Sequence, residues 1–256
     1  MRISAIVIRK ALVARSLVAE ALRVLREDGT GAAAVFAAAI VRWTFGRKRR
    51  APKVNPVDRE FGTDTSADAR LHGLRISSRN VRYAVYYRAT SYPILREVLA
   101  ALTIPHQEYS FVDCGSGKGL VVLEAAAYPF RKVIGVEFAR ELHEIAVQNL
   151  ARVPSTSLRT GVEFICEDVL TYELPDGNLV LYLYEPFEPP LVRKMIARIE
   201  TLRSNREVIV AHVRSTNRRI NSRGYWDAAP FLEKMAEGVG WTIYRSTEPA
   251  ARPLTY

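Results

Sequence analysis

A run of glycines and three carboxylates carry the chemistry that can be read from this chain. The run is Asp113-Cys114-Gly115-Ser116-Gly117-Lys118-Gly119, and it closes a short apolar stretch, Tyr109 to Asp113. Glycine reaches backbone angles closed to other residues and lets a ligand approach the main chain. The pattern is not a P-loop, because no glycine stands at the G-x4-G-K-[ST] spacing and Lys118 is followed by Gly119. A dinucleotide fingerprint, G-x-G-x-x-G, would need glycine at 120, where Leu120 stands. Such a loop offers helix N-terminal amides to a pyrophosphate, whereas Asp113 suits a cationic ligand and repels a phosphate at close range. The plain alternative is a tight strand-to-helix turn.

Two more acids extend the pattern. Glu137 comes 18 residues after Gly119 and ends a second apolar stretch, Lys132 to Glu137. Asp168 follows a third, Val162 to Cys166. A carboxylate at the first position can accept both hydroxyls of a ribose, and one at the second can accept from an adenine amino group. Each acid alone reads as a solvated strand end; three on successive strands do not. S-adenosylmethionine has an ammonium, a carboxylate, a sulfonium and a ribose but no phosphate, groups that such acids suit.

The elements that must position these residues alternate. Ser91 is expected to cap a helix with Ile94, Leu95, Val98, Leu99 and Leu102 on one face. Helices are expected over 118–127, 139–151 and 189–203, and further strands over Asn178–Tyr184 and Glu207–Val213. A helix near 229–238 and a strand near 240–245 complete the reading. Strands alternating with helices imply an α/β chain with a doubly wound, mostly parallel sheet. Its ligand lies beyond the carboxyl ends of the strands, where strand order reverses.

On these residues the sequence resembles the bacterial class I S-adenosylmethionine-dependent methyltransferases. The likeness is carried by Phe111 to Gly119, Val133-Ile134-Gly135-Val136-Glu137, Glu167-Asp168-Val169 and Leu181 to Phe187, and it spans about residues 57–215. Asp58-Arg59-Glu60-Phe61-Gly62-Thr63-Asp64-Thr65 looks like the start of one branch of that family. The resemblance implies a Rossmann-like methyltransferase fold, S-adenosyl-L-methionine as cofactor, and methyl transfer to an unidentified acceptor. It implies that Asp113, Gly115 and Gly117 contact the methionyl part, Glu137 the ribose and Asp168 the adenine. Ser116 and Gly119, inside the same loop, are assigned to the cofactor with them. Tyr87 and Thr90 lie where such enzymes close over the cofactor, although aromatic residues before a helix also serve as core anchors.

Glu185-Pro186-Phe187 follows the fourth strand and is taken as the catalytic segment. Related enzymes have Asn-Pro-Phe here, or Asn or Asp followed by Pro-Pro and an aromatic. Ionised Glu185 cannot donate a hydrogen bond, but it can act as a base or attract a cationic acceptor. A strand-end turn stiffened by Pro186 is the alternative. No metal set is expected, since His72, His106, His143 and His212 show no ligand spacing. His212 reads as a core histidine, and Cys114 and Cys166 as reduced strand-end residues. Arg214, Arg218, Arg219 and Arg223 fit either an anionic acceptor or a solvated loop.

Charge divides the chain in two. Residues 1–56 hold 12 basic and 3 acidic residues, which is nearly all of the net charge of +10. The rest, 57–256, is almost neutral and is read as the methyltransferase domain. Residues 3–27 read as an amphipathic helix with Ile6, Leu17, Val18, Leu22 and Leu25 on one face. The apolar run Ala32 to Val41 falls short of the about 20 residues a spanning helix needs. Trp43 and Phe45 then adjoin the basic cluster Arg47 to Arg50, and Ala51 to Val57 reads as a linker. Three readings stand for this extension: a helical hairpin packed on the domain or on a second subunit, a helix on an anionic membrane through residues 1–50, or a targeting or nucleic-acid segment. The expected location is cytoplasmic, peripheral to membrane if the second reading holds, and nucleic acid is the less favoured partner. Two other functions compete with methyl transfer: a non-catalytic binding protein on this scaffold, and a nucleotide-dependent oxidoreductase.

Overall fold

The computed structural model describes residues 54–66, 89–184, 189–214 and 222–247. The expected extension over 1–53, Tyr87, the segment Glu185-Pro186-Phe187, Arg218 and Arg219 lie outside these residues. The elements in chain order are α1 (Pro56–Phe61), α2 (Tyr92–Ala101), β1 (Tyr109–Cys114), α3 (Leu120–Ala125), β2 (Lys132–Val136), α4 (Arg140–Leu150), β3 (Val162–Ile165), β4 (Asn178–Tyr184), α5 (Pro189–Leu202), β5 (Val208–Val213), α6 (Arg223–Asp227), β6 (Leu232–Gly238) and β7 (Trp241–Ser246).

The seven strands form one sheet in the order β3-β2-β1-β4-β5-β7-β6. The pairs from β3 through β5 are parallel, and β7 joins β5 and β6 antiparallel. The expected doubly wound, mostly parallel sheet is therefore present, and strand order reverses between β1 and β4. All six residues of β1 are buried, as a central parallel strand covered on both faces requires. Alternate residues serve opposite cores. Phe111, Val133, Val180, Ile209 and Ile243 pack with Leu95, Val98 and Leu99 of α2 and with α3. Val112, Ile134, Leu181, Val210 and Tyr244 pack with Leu191, Met195 and Ile199 of α5 and with Trp226 of α6.

Two expectations change. The helix expected near 229–238 is strand β6, paired along its length with β7. Glu233-Lys234-Met235-Ala236-Glu237 is composed of good helix formers, but the sheet offers β7 as a partner and pairing outweighs local propensity. Gly240 (φ 90°) turns the chain between the two strands, and a side chain at Gly238 would collide with the Trp241 ring. The segment read as a linker ends in a helical turn from Pro56, whose Val57 is buried.

Candidate functional site

The glycine loop starts where β1 stops hydrogen bonding to β4. Gly115 and Ser116 donate their N–H groups to the carbonyl of Val136, at 2.9 and 3.0 Å, and Gly119 donates to Ser116 at 2.9 Å. Gly115, Gly117 and Gly119 have φ of 95°, 52° and 90°, a region that penalises any Cβ. Space forbids one as well. A Cβ on Gly119 would stand 2.7 Å from Cζ of Phe164, and one on Gly135 would meet the same ring at 2.7 Å and Ser116 Oγ at 2.8 Å. Phe164 of β3 is thus the floor of the loop. The Ser116 hydroxyl is buried and has no hydrogen-bond partner among the described residues.

The acids stand where the strands deliver them. Asp113, in β1, and Glu137, directly after β2, are each about 5% exposed. Glu137 accepts from the Gly117 N–H through Oε2 (2.9 Å) and from the Ala139 N–H through Oε1 (2.8 Å). Burial pushes its carboxyl up to about 7, against the pull of these N–H groups. Burial also raises Asp113 well above the ordinary aspartate value, and the negative charge of Glu137 adds to the shift. Two adjacent buried carboxyls, both raised by burial, form a site whose charged form a cation or hydroxyl donors would stabilise. Asp168 lies in the turn after β3, where its Oδ1 accepts from the Leu170 N–H at 3.0 Å.

The family model for the histone methylation protein DOT1 matches residues 79–236. The chain belongs to that family. Membership in the class I S-adenosylmethionine-dependent methyltransferases, expected from the motifs, is borne out by this match. No curated protein matches the sequence. Among solved structures, the chain is similar to an RNA methyltransferase from Salinibacter ruber, crystallised with S-adenosyl-L-homocysteine, at 20% identity over 64% of this chain and 96% of that one, with a TM-score of 0.42. It is also similar to the 23S rRNA methyltransferase ErmE, at 15% identity over 63% and 69% of the two chains, with a TM-score of 0.43. The fold assignment rests on the strand order above, not on these likenesses.

In this DOT1-family chain the remaining assignments separate. Thr90 is buried, with its hydroxyl close to Tyr182 of β4. Glu185, Pro186 and Phe187 continue from Tyr184, the last residue of β4, beyond the described residues. His212 is a core residue: Ser222 Oγ lies 2.9 Å from its Nε2, the Trp226 ring is 5.8 Å away, and burial together with Arg214 pulls its pKa down to about 3. Arg223 is engaged by Asp227 at 3.1 Å and by Glu237 at 2.8 Å. Cys114 is buried and Cys166 exposed, and both are free thiols. Among the described residues no group of His, Cys, Asp and Glu is placed to hold a metal, and no helix is long and apolar enough to cross a membrane.

Three contributors escape sequence reading. Phe164 looks like any apolar strand residue. Lys118 looks like a solvated loop cation, yet its side chain is 4% exposed and pairs with Asp64. Asn149 is fully buried and bonds to residues 31 and 85 positions away. A polar side chain on the otherwise apolar inner face of α4, beside Leu142 and Ala146, is the available signal for Asn149.

Proposed function

We propose that this chain binds S-adenosylmethionine at the carboxyl ends of β1, β2 and β3 and transfers its methyl group to an acceptor presented beside the end of β4. The observation that carries the reading is the buried Asp113–Glu137 pair next to the glycine loop. Asp113 would hold the ammonium end of the methionyl part, with the backbone of Gly115 and Gly117 beside it. Glu137 would take the ribose hydroxyls, Asp168 the adenine amino group, and the Ser116 hydroxyl has spare capacity for the ligand. The bound cofactor supplies an electrophilic methyl on a sulfonium. The protein's own contribution is positioning and exclusion of water, which supply most of what an in-line displacement needs. Glu185 is assigned as the base or anionic attractor for the acceptor, with Pro186 and Phe187 shaping its approach.

Calorimetry of the full chain with S-adenosylhomocysteine tests this. Binding is expected in the intact protein and is expected to vanish in Gly117→Arg. A folded protein that does not bind overturns the reading. Labelled methyl transfer into host protein, RNA, lipid and small-molecule fractions then finds the acceptor. Binding without transfer to any fraction favours a non-catalytic binder instead. For residues 1–50 we propose contact with an anionic membrane surface, supported by the amphipathic pattern and the basic cluster beside Trp43 and Phe45. Flotation with phosphatidylserine vesicles, lost on deleting 1–50 while S-adenosylhomocysteine binding persists, is the expected result.

A further inference from the structure

We propose that residues 54–66 are a clamp on the glycine loop, with Asp64, Lys118 and Asn149 acting as positioning residues for cofactor binding. The cofactor part rests on the S-adenosylmethionine reading above; the clamp itself rests on the geometry that follows.

The segment is built to be rigid without help from a sheet. Asn55 caps α1, accepting from the Asp58 N–H at 2.9 Å. Its amide donates to Thr65 Oγ1 at 2.7 Å and to Ser66 Oγ at 2.9 Å. The Asp58 carboxylate is the hub. Its Oδ1 accepts from the Thr63 hydroxyl and from the Thr65 N–H and hydroxyl, at 2.6 to 2.8 Å. Its Oδ2 accepts from the Ser66 N–H at 2.9 Å and the Ser66 hydroxyl at 2.5 Å. Gly62, at φ 65°, ends α1 and lets the chain double back. Five donors on one carboxylate fix the path of 63–66, and with it the place of Asp64.

Asp64 is then fastened to the loop once directly and once through Asn149 of α4. Its carboxylate accepts from Lys118 Nζ at 2.8 Å. Its backbone N–H and carbonyl are both met by the Asn149 amide, at 2.9 and 3.2 Å, and the same amide nitrogen donates to the Lys118 carbonyl at 2.9 Å. Arg152, just after α4, adds a bond to the Gly62 carbonyl at 3.1 Å. Lys118 is thereby gripped at its carbonyl and at its ammonium. It sits between Gly117 and Gly119, the two loop residues with the greatest freedom to move, and Gly117 is the residue whose N–H meets Glu137. Without a grip on residue 118, ordering the loop on binding would carry an added entropic cost. The large side chain at this one position, drawn inward to a carboxylate 54 residues earlier, removes that cost in advance.

The test uses the full-length chain with two readouts: calorimetry with S-adenosylhomocysteine and amide hydrogen exchange of the ligand-free protein. Asn149→Ala alters a fully buried site and can fail to fold, so Asp64→Asn, at a half-exposed position, is the primary variant. It should weaken S-adenosylhomocysteine binding about fivefold to tenfold and speed exchange at the Gly117 and Gly119 amides about tenfold, while amides of β5 and β7 keep their rates. Asp64→Glu should recover much of both effects. Adding Lys118→Met to Asp64→Asn should cost little more than either alone, as expected for two halves of one interaction. Wild-type loop exchange and affinity in Asp64→Asn would overturn the clamp while leaving the cofactor reading intact. Loosening spread evenly over the sheet would also overturn it. Loop loosening in Asp64→Asn, in a protein that never binds S-adenosylhomocysteine, would leave the clamp standing and sink the cofactor reading.

Discussion

Asp58 and Glu137 are both carboxylates drawn in from solvent and met by backbone N–H groups, yet their surroundings push them in opposite directions. Around Asp58, burial disfavours the charge, but hydrogen bonds from Ser66, Thr63 and Thr65 outweigh it and hold the carboxyl below its ordinary value. Around Glu137, burial dominates the N–H groups of Ala139 and Gly117 and lifts the carboxyl. The first acid draws all its donors from its own segment and is finished when the chain folds. The second is more deeply buried and has the Asp113 carboxyl beside it, and on the reading proposed above the cofactor completes it. On the proposed reading the contrast separates a structural acid from a binding one by whether the hydrogen bonds or the burial win.

Exchanging each for alanine breaks the comparison most directly. Glu137→Ala should reduce S-adenosylhomocysteine affinity at least about 100-fold, since hydrogen bonds to a charged group are lost on the ligand side, and, although it strands the Gly117 and Ala139 N–H groups, should lower the melting temperature less than Asp58→Ala does. Asp58→Ala should do the reverse. It strands Thr63, Thr65 and Ser66 and should cost roughly 2–4 kcal/mol of stability, with affinity falling no further than the share the clamp carries. Thermal unfolding and calorimetry on both variants check the pair. Equal losses of affinity in the two would dissolve the distinction.

The pH dependence sharpens it. Glu137 keeps its proton in the folded chain from its ordinary 4.5 up to about 7. Its contribution to stability is therefore full below 4.5 and lost as pH rises through about 7, and Asp113 acts in the same direction. The Asp58 contribution has the opposite sign: present above its ordinary value of 3.8 and lost as pH falls through its lowered one. On the proposed reading the ribose hydroxyls donate to ionised Glu137, so binding should draw off a proton. S-adenosylhomocysteine affinity should tighten about 25-fold between about pH 5.5 and 7.5 and then level off. Calorimetry in buffers of different ionisation enthalpy should detect the released proton, and Glu137→Gln should flatten the profile.

The strand-end acids are legible because the buried β1 and β2 and the half-buried edge strand β3 read as short apolar runs, each bringing the chain to a carboxylate at or just after its end. Asp113, Glu137 and Asp168 can be picked out on that ground. What supports them cannot. Phe164 under the loop, and Lys118 and Asn149 at its side, act through contacts made across long stretches of chain, 31 and 85 residues for Asn149, and no local pattern encodes such distances. Asp58 stands out within Asp58 to Thr65 as a family mark, but its work depends on hydroxyls folding back over it. Strand β6 departs from its helical composition for the related reason that its partner, β7, decides its state.

Asp168 falls between the two cases and gives the smallest effect. Its Oδ1 already serves the Leu170 N–H, and its carbonyl accepts from the N–H groups of Thr171 and Tyr172, so part of its function is to shape the turn after β3. Asp168→Asn keeps a side-chain oxygen for Leu170 and replaces the other acceptor by a donor. Affinity for S-adenosylhomocysteine should fall about threefold to tenfold, much less than for Glu137→Ala. The informative measurement is selectivity. The inosine analogue of S-adenosylhomocysteine carries a carbonyl where the adenine has its amino group. The wild-type carboxylate should reject that oxygen, whereas the side-chain amide introduced by Asp168→Asn can donate to it. The preference for adenine over hypoxanthine should therefore shrink or invert in that variant. An unchanged preference would confine Asp168 to the turn and place it with Asp58, among the acids completed by their own chain.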